Sequence, residues 1–304
     1  MSEINKKENQ KLIINKGHYE FITDELSVKL EPKTFLIKNY FTLTATVEEL
    51  NICNLLKERS TDLQDHYGYT SVGVIEAVGN SCSLNKGDVV LSSAVYSKYH
   101  ILTEHASINA SKVLYRSSYE DYDKVDLLFL PFICIALYLL DIIESGVKER
   151  ILFRGDSVVF RILACLLIEQ NIDFVVFSQN PHKDAYPGFL YNDVKIVKEE
   201  EIFFDEMKGT TAVGFILSSD NLPGLKTIEE SFGGYILFTN ENINFDKPPW
   251  MIPHLQNEAT RILLDRRFNF EELIAHHVHA EYINQTISYL ERGFYYGKML
   301  VYDW

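Results

Sequence analysis

A chain of 304 residues, 46% of them apolar and 24% charged, holds enough hydrophobic material for two cored domains and is not a disordered polymer. Its formal net charge of −14 excludes a general nucleic-acid or anionic-membrane binder, because both need clustered Lys and Arg to displace counterions. The four cysteines, Cys53, Cys82, Cys134 and Cys165, form no C-x-x-C pair and read as free thiols in a reducing compartment.

The first residues are polar, with no apolar run of the kind a signal peptide needs, and residues 1–10 read as a frayed lead-in. Short apolar patches at residues 12–14, 19–22 and 35–37 alternate with turn signals at Lys16-Gly17 and Glu31-Pro32, which predicts a few antiparallel strands. Residues 46–58 have helical spacing. Residues 68–104 hold three β-rich runs, broken by Gly79-Asn80 and by residues 85–88, as expected of a small β-barrel.

From about Val125 the period changes. Residues 127–140 form the longest apolar run, shorter than the roughly 20 residues a membrane span requires and interrupted by Pro131, so a buried helix is expected and no membrane. These features together predict a cytoplasmic protein. A strand at 151–153, a turn at Gly155, a helix at 157–169 and a strand at 174–177 then make a βαβ unit. Dinucleotide-binding folds carry G-x-G-x-x-G at that turn; here the register reads Gly155, Asp156, Ser157, Val158, Val159, Phe160, so one glycine of three remains. Further strands are expected at 193–197, 212–217 and 235–239, with a helix at 222–232. Strands separated by helices predict a parallel sheet covered on both faces. The Pro-rich piece 247–253 reads as a linker, followed by helices near 255–265 and 280–292 and a last strand at 298–302.

Residues 68–79, GYTSVGVIEAVG, followed by LNKGDVV at 84–90, resemble a signature of the medium-chain dehydrogenase/reductases, namely G-H-E-x-x-G-x-V-x-x-V-G and then F-x-x-G-D-x-V. Leu273-Ile274-Ala275-His276, a helix, and Gly297-Lys298-Met299-Leu300-Val301 resemble that family's C-terminal pattern. The matches run in order from about Leu12 to Trp304. The resemblance implies an α/β architecture: a GroES-like β-barrel domain of residues 1–124, completed by 266–304, and a Rossmann doubly wound domain of residues 125–265 with a degenerate glycine motif.

Carried over residue by residue, the family's zinc set is missing. Thr44 stands where zinc-dependent members have a Cys, Tyr69 replaces the His of G-H-E, Thr70 replaces its Glu, and the third position aligns near Leu130. Thr, Tyr and Leu cannot make a zinc site, and Cys53 alone is not one, so no metal is expected. Zinc-free members exist, and the resemblance then implies a hydride-transfer enzyme in which Tyr69, with Thr44 beside it, supplies a proton or holds an oxyanion. A tyrosine at that position is more often a packing or wall residue than a catalytic one.

For the cofactor, Gly155, Ser157 and Arg154 are the candidate phosphate contacts, while Asp156 and Phe160 oppose binding and imply a displaced turn. NAD-binding members place an acid after the second strand; here Ser178, with Lys183 nearby, fits a 2′-phosphate and points to NADP(H), although a solvated loop accounts for the same residues. The run His276-His277-x-His279 has no acidic or Cys partner at a defined spacing and is not read as a metal site. Two functions stay open: a zinc-independent, NADP(H)-dependent oxidoreductase acting on a small carbonyl or activated alkene, expected to be a homodimer, or a cofactor-free scaffold or partner-binding subunit.

Overall fold

The structure, a computed structural model, describes residues 5–15, 18–45, 70–92, 96–104, 107–109, 125–146, 150–154, 158–177, 195–197, 212–216, 236–239, 249–290 and 299–304. The chain divides into two compact units, residues 1–129 with 274–304 and residues 130–273.

The first unit opens with strands β1 (Asn5–Asn15) and β2 (His18–Val28), which form an antiparallel ribbon in register from Asn5↔Val28 to Asn15↔His18. Residues 5–10 are therefore strand and not lead-in. Opposite charges meet across the ribbon, Lys6 with Glu25 and Lys11 with Asp24, each at 2.6 Å. The ribbon docks through β1: the Leu12 amide donates to Tyr96 O (2.8 Å), the Lys98 amide to Gln10 O (2.7 Å), and the Tyr99 amide to Asn9 Oδ1 (2.9 Å). Lys7 pairs with Glu76 and lies 4.5 Å over the Tyr99 ring. Burial, with Lys38 and Lys86 nearby, still pulls its amine below the ordinary range.

Five further strands, β3 (Thr34–Ala45), β4 (Thr70–Val78), β5 (Val89–Ser92), β6 (Tyr99–Thr103) and β7 (Ser107–Asn109), join β13 (Ile274–His279) and β14 (Met299–Asp303) in one sheet. Its order is β13-β14-β3-β4-β5-β7, with β6 on β3. The twelve residues of β3 serve two partners on one side, β6 along Thr34 to Lys38 and β14 along Phe41 to Ala45, with β4 along the other. Register shifts between Leu36 and Ile37 and between Asn39 and Phe41 bend it, as bulges do where a sheet closes on itself. Two apolar clusters fill this unit. Phe35, Ile37, Ile75, Leu84 and Val90 form one; Leu12, Tyr19, Tyr96, Val278, Ala280, Ile283, Leu300 and Tyr302 form the other, which brings the N-terminal ribbon and the C-terminal segment into one core.

The motif between β4 and β5 has physical reasons at its fixed positions. The Gly79 amide donates to Thr34 O (2.7 Å), Gly87 has φ +94°, and the Asp88 carboxylate accepts from the Asn85 amide at 2.9 Å, locking the turn.

In the second unit, β8 (Arg150–Arg154), β9 (Phe174–Phe177), β10 (Lys195–Val197), β11 (Ala212–Ile216) and β12 (Ile236–Thr239) pair in parallel in the order β10-β9-β8-β11-β12. Helix α1 (Leu130–Gly146) carries Pro131 in its first turn, where the missing N–H is not needed. Residues 126–144 are long and apolar enough to cross a membrane. Here they enter a protein core instead: Ile133, Cys134, Ala136, Leu139 and Ile143 are buried, and α1 packs on α2 (Val158–Glu169) and α3 (Pro253–Leu264).

Helix α2 is buried on every side from Val158 to Leu167. It stops where Asn171 turns left-handed (φ 55°), with the Ile172 amide bonded to Leu167 O at 2.9 Å and the Asn171 amide to Ile168 O at 3.0 Å. The piece 247–253 is more than a linker. Pro249 is buried in a 3-10 turn that packs on α1, and Pro253 starts α3 at the position where proline suits a helix. The last helix, α4 (Ile283–Leu290), lies in the first unit, where the Asn284 side-chain amide donates to Tyr19 O at 2.6 Å.

Cys82, Cys134 and Cys165 are free thiols. Burial pushes Cys134 up to about 12 and raises Cys165 further. Both are expected to resist iodoacetamide at pH 8 in the folded protein and to react once urea unfolds it, as peptide mass mapping would check.

Candidate functional site

Parallel pairing sets the ends of the second unit's five described strands in one row. Arg154 is paired with Phe177 and with Ile216, Phe177 with Val197, and Ile216 with Thr239. Counting strands along this unit, the order is third, second, first, fourth, fifth, so the direction of winding reverses between β8 and β11. Open α/β sheets bind ligands outside the carboxyl ends of their strands at such a switch point. Arg154 closes β8 there, the chain continues to Gly155, and β9 ends at the residue before Ser178. Gly155, Asp156, Ser157, Ser178 and Lys183 lie outside the described residues.

Phe160, in place of the third glycine, is described. It is 1% exposed and packed within the unit, and the next residue, Arg161, is fully buried. A phenyl ring thus occupies part of the helix-to-core interface that a glycine leaves free. Arg161 lies on α2 and does not face solvent.

In the barrel unit, Thr44 sits near the end of β3, 2% exposed and opposite Leu300 of β14. Leu43, the residue before it, pairs with Thr70, the residue after Tyr69; Tyr69 is outside the described residues. Leu130 is buried at the start of α1. Neither Thr44 nor Leu130 carries a thiolate, imidazole or carboxylate, the groups that bind zinc.

The histidine run is itself a strand, and it leads directly into the last helix through a 3-10 turn at Ala280–Tyr282. In β13 His277 and His279 share one face, and His276 takes the other. His277 Nδ1 lies 3.9 Å from Asp303 Oδ1 with its ring edge-on to Phe41; His279 Nδ1 lies 3.6 Å from Glu281 and packs with Phe21 and Tyr282. Burial raises the Asp303 carboxyl above the usual range, and the two imidazoles draw it back. Among the described residues no three His, Cys, Asp or Glu side chains are arranged to hold a metal ion.

Beside Thr44 the strand register reveals a row of hydroxyls that motif reading did not single out: Thr42, Ser71 and Ser92 stand opposite one another on β3, β4 and β5. The small polar residues at these positions were the only signal.

The sequence matches no protein-family model and no curated protein. Solved structures do resemble the chain over its whole length. The CurK enoyl reductase is similar at 15% identity and a TM-score of 0.68, over 98% of this chain and 99% of that one. An Escherichia coli CFT073 alcohol dehydrogenase complexed with NADH is similar at 11% identity and 0.68, over 98% and 99%. A protein described as an NADPH:quinone reductase from Mesorhizobium loti is similar at 14% identity and 0.68, over all of both chains. These likenesses show the fold: the chain shares with those structures a β-sheet unit and a unit built on a five-stranded parallel sheet with helices.

Proposed function

We propose that the chain is a zinc-independent oxidoreductase that uses NADP(H) to reduce a small carbonyl compound or an activated alkene. The observation that supports this most is the aligned row of strand ends at the switch point, with Arg154 leading into Gly155. The likeness to an enoyl reductase, an alcohol dehydrogenase and a quinone reductase agrees with it. The nicotinamide, when bound, supplies the hydride. The chain's part is to hold the pyrophosphate on the backbone of the Gly155 turn with Ser157 and Arg154, and to hold the 2′-phosphate with Ser178 and Lys183. With a nicotinamide and substrate bound, the Tyr69 hydroxyl would give its proton to the anion developing on the substrate, with Thr44 as neighbour, and solvent would restore it. The protein is proposed to work in the cytoplasm as a homodimer, joined along β12 at the sheet edge.

Phe160 favours a second reading, a cofactor-free scaffold or partner-binding subunit, because its buried ring takes the place of the third glycine. Calorimetric titration of the full chain with NADPH and NADH decides between them. Saturable heat with NADPH is expected, and its absence at millimolar cofactor would leave the scaffold reading. For the chemistry, Tyr69→Phe is expected to cut turnover by about 10²- to 10⁴-fold, the usual worth of one positioned proton donor, with NADPH binding kept. Full turnover in this variant would remove Tyr69 from the reaction.

A further inference from the structure

The hydroxyl row in the barrel has unmet hydrogen-bonding capacity. Register pairs Tyr302 with Thr42, Thr42 with Ser71, and Ser71 with Ser92. Directly opposed residues on neighbouring strands project to the same face. Ser71 and Ser92 therefore share the face that carries Ile75 and Val90 of the apolar cluster farther along the same strands. Ser71 is fully buried and Ser92 is 7% exposed. The Trp304 indole N–H donates to Thr42 Oγ1 at 2.9 Å, which engages one end of the row. Neither Ser71 Oγ nor Ser92 Oγ has a hydrogen-bond partner among the described residues.

A buried hydroxyl without a partner carries its full desolvation penalty, and two side by side that, like Ser71 and Ser92, do not bond each other carry it twice unless they share a guest. Opposed Cβ atoms lie about 4.5–5.5 Å apart, a gap that one small molecule bridges with two hydrogen bonds of about 2.8 Å. The guest must be neutral, since no charged side chain belongs to the row. It must also both donate and accept. We propose that Ser71 and Ser92 bind an internal water molecule inside the barrel, with the Thr42 hydroxyl as its third polar neighbour; buried waters typically make about three such bonds.

Oxygen-17 relaxation dispersion on the full-length protein counts long-lived internal water. The Ser71→Ala/Ser92→Ala variant is expected to lose the dispersion amplitude of one such molecule and to unfold at lower urea than the parent, because it gives up satisfied hydrogen bonds. An unchanged amplitude overturns the proposal. So does a double variant that unfolds at higher urea, since deleting two dry, unpaired hydroxyls would stabilise the fold. If the double variant does not fold, the single Ser92→Ala variant is read by the same two measurements with the same assignments.

Discussion

Replacing Gly79 by alanine is expected to destabilise the barrel unit more than any other single methyl addition considered, at or beyond the top of the about 1–3 kcal/mol range for overpacking. A Cβ on Gly79 would lie 2.0 Å from Glu31 O and 3.1 Å from Thr34 O, both backbone atoms that no rotamer can move. Those atoms are also fixed by hydrogen bonds: the Thr34 amide and hydroxyl donate to Glu31 O at 3.2 and 2.8 Å, and the Lys33 amide donates to Asn80 O at 2.9 Å. Gly73 is expected to follow closely, since its Cβ would come within 2.4 Å of Lys38 O and 2.9 Å of Asn39 Cα at the bulge of β3. Gly87 supplies the contrast. Nothing lies within 4 Å of its Cβ position, and only its φ of +94° opposes a side chain, so Gly87→Ala should cost about 1 kcal/mol of backbone strain. Urea unfolding of the three variants tests the order. A Gly79→Ala midpoint no lower than that of Gly87→Ala would show that close backbone approach does not fix these glycines.

These glycines also explain what the sequence made legible. The stretch from Thr70 to Val90 alternates β-branched residues with small ones and breaks at glycines whose packing or φ requires them, so its strands and turns could be read directly. Helix α2 and its flanking strands were equally plain, because an apolar helix between two apolar runs has few other uses. Two elements depended on distant partners and were harder to see. Residues 5–10 are polar and would fray alone; they are held by β2 and by Lys98 and Tyr99, contacts that local pattern does not encode. Strand β13 reads IAHHVH, with little apolar alternation, and exists through its parallel pairing with β14. The site divides in the same way. Gly155 marked the first strand end, but the alignment of Arg154 with Phe177 and Ile216 is a property of the sheet. Thr42, Ser71 and Ser92 are far apart in sequence and meet only through register.

Lys183→Ala is expected to weaken NADPH binding about 10- to 100-fold, the loss of one charge-assisted hydrogen bond, while NADH binding stays within about twofold because NADH has no 2′-phosphate for the lysine to meet. The complementary variant is Ser178→Asp. A carboxylate there accepts from the ribose 2′-hydroxyl of NADH and repels a 2′-phosphate, so it should raise NADH affinity and lower NADPH affinity together. β9 ends at Phe177 in the same row as Arg154, and Ser178 and Gly155 are the residues that follow these two strand ends in sequence. Titration of both variants with both cofactors separates the causes. If Lys183→Ala lowers the two affinities equally, the lysine acts through general charge and not on the 2′-phosphate, and the proposed NADP(H) preference has to rest elsewhere. If neither variant changes either affinity, the end of β9 does not meet the ribose, and the row of strand ends has lost its use as a cofactor platform.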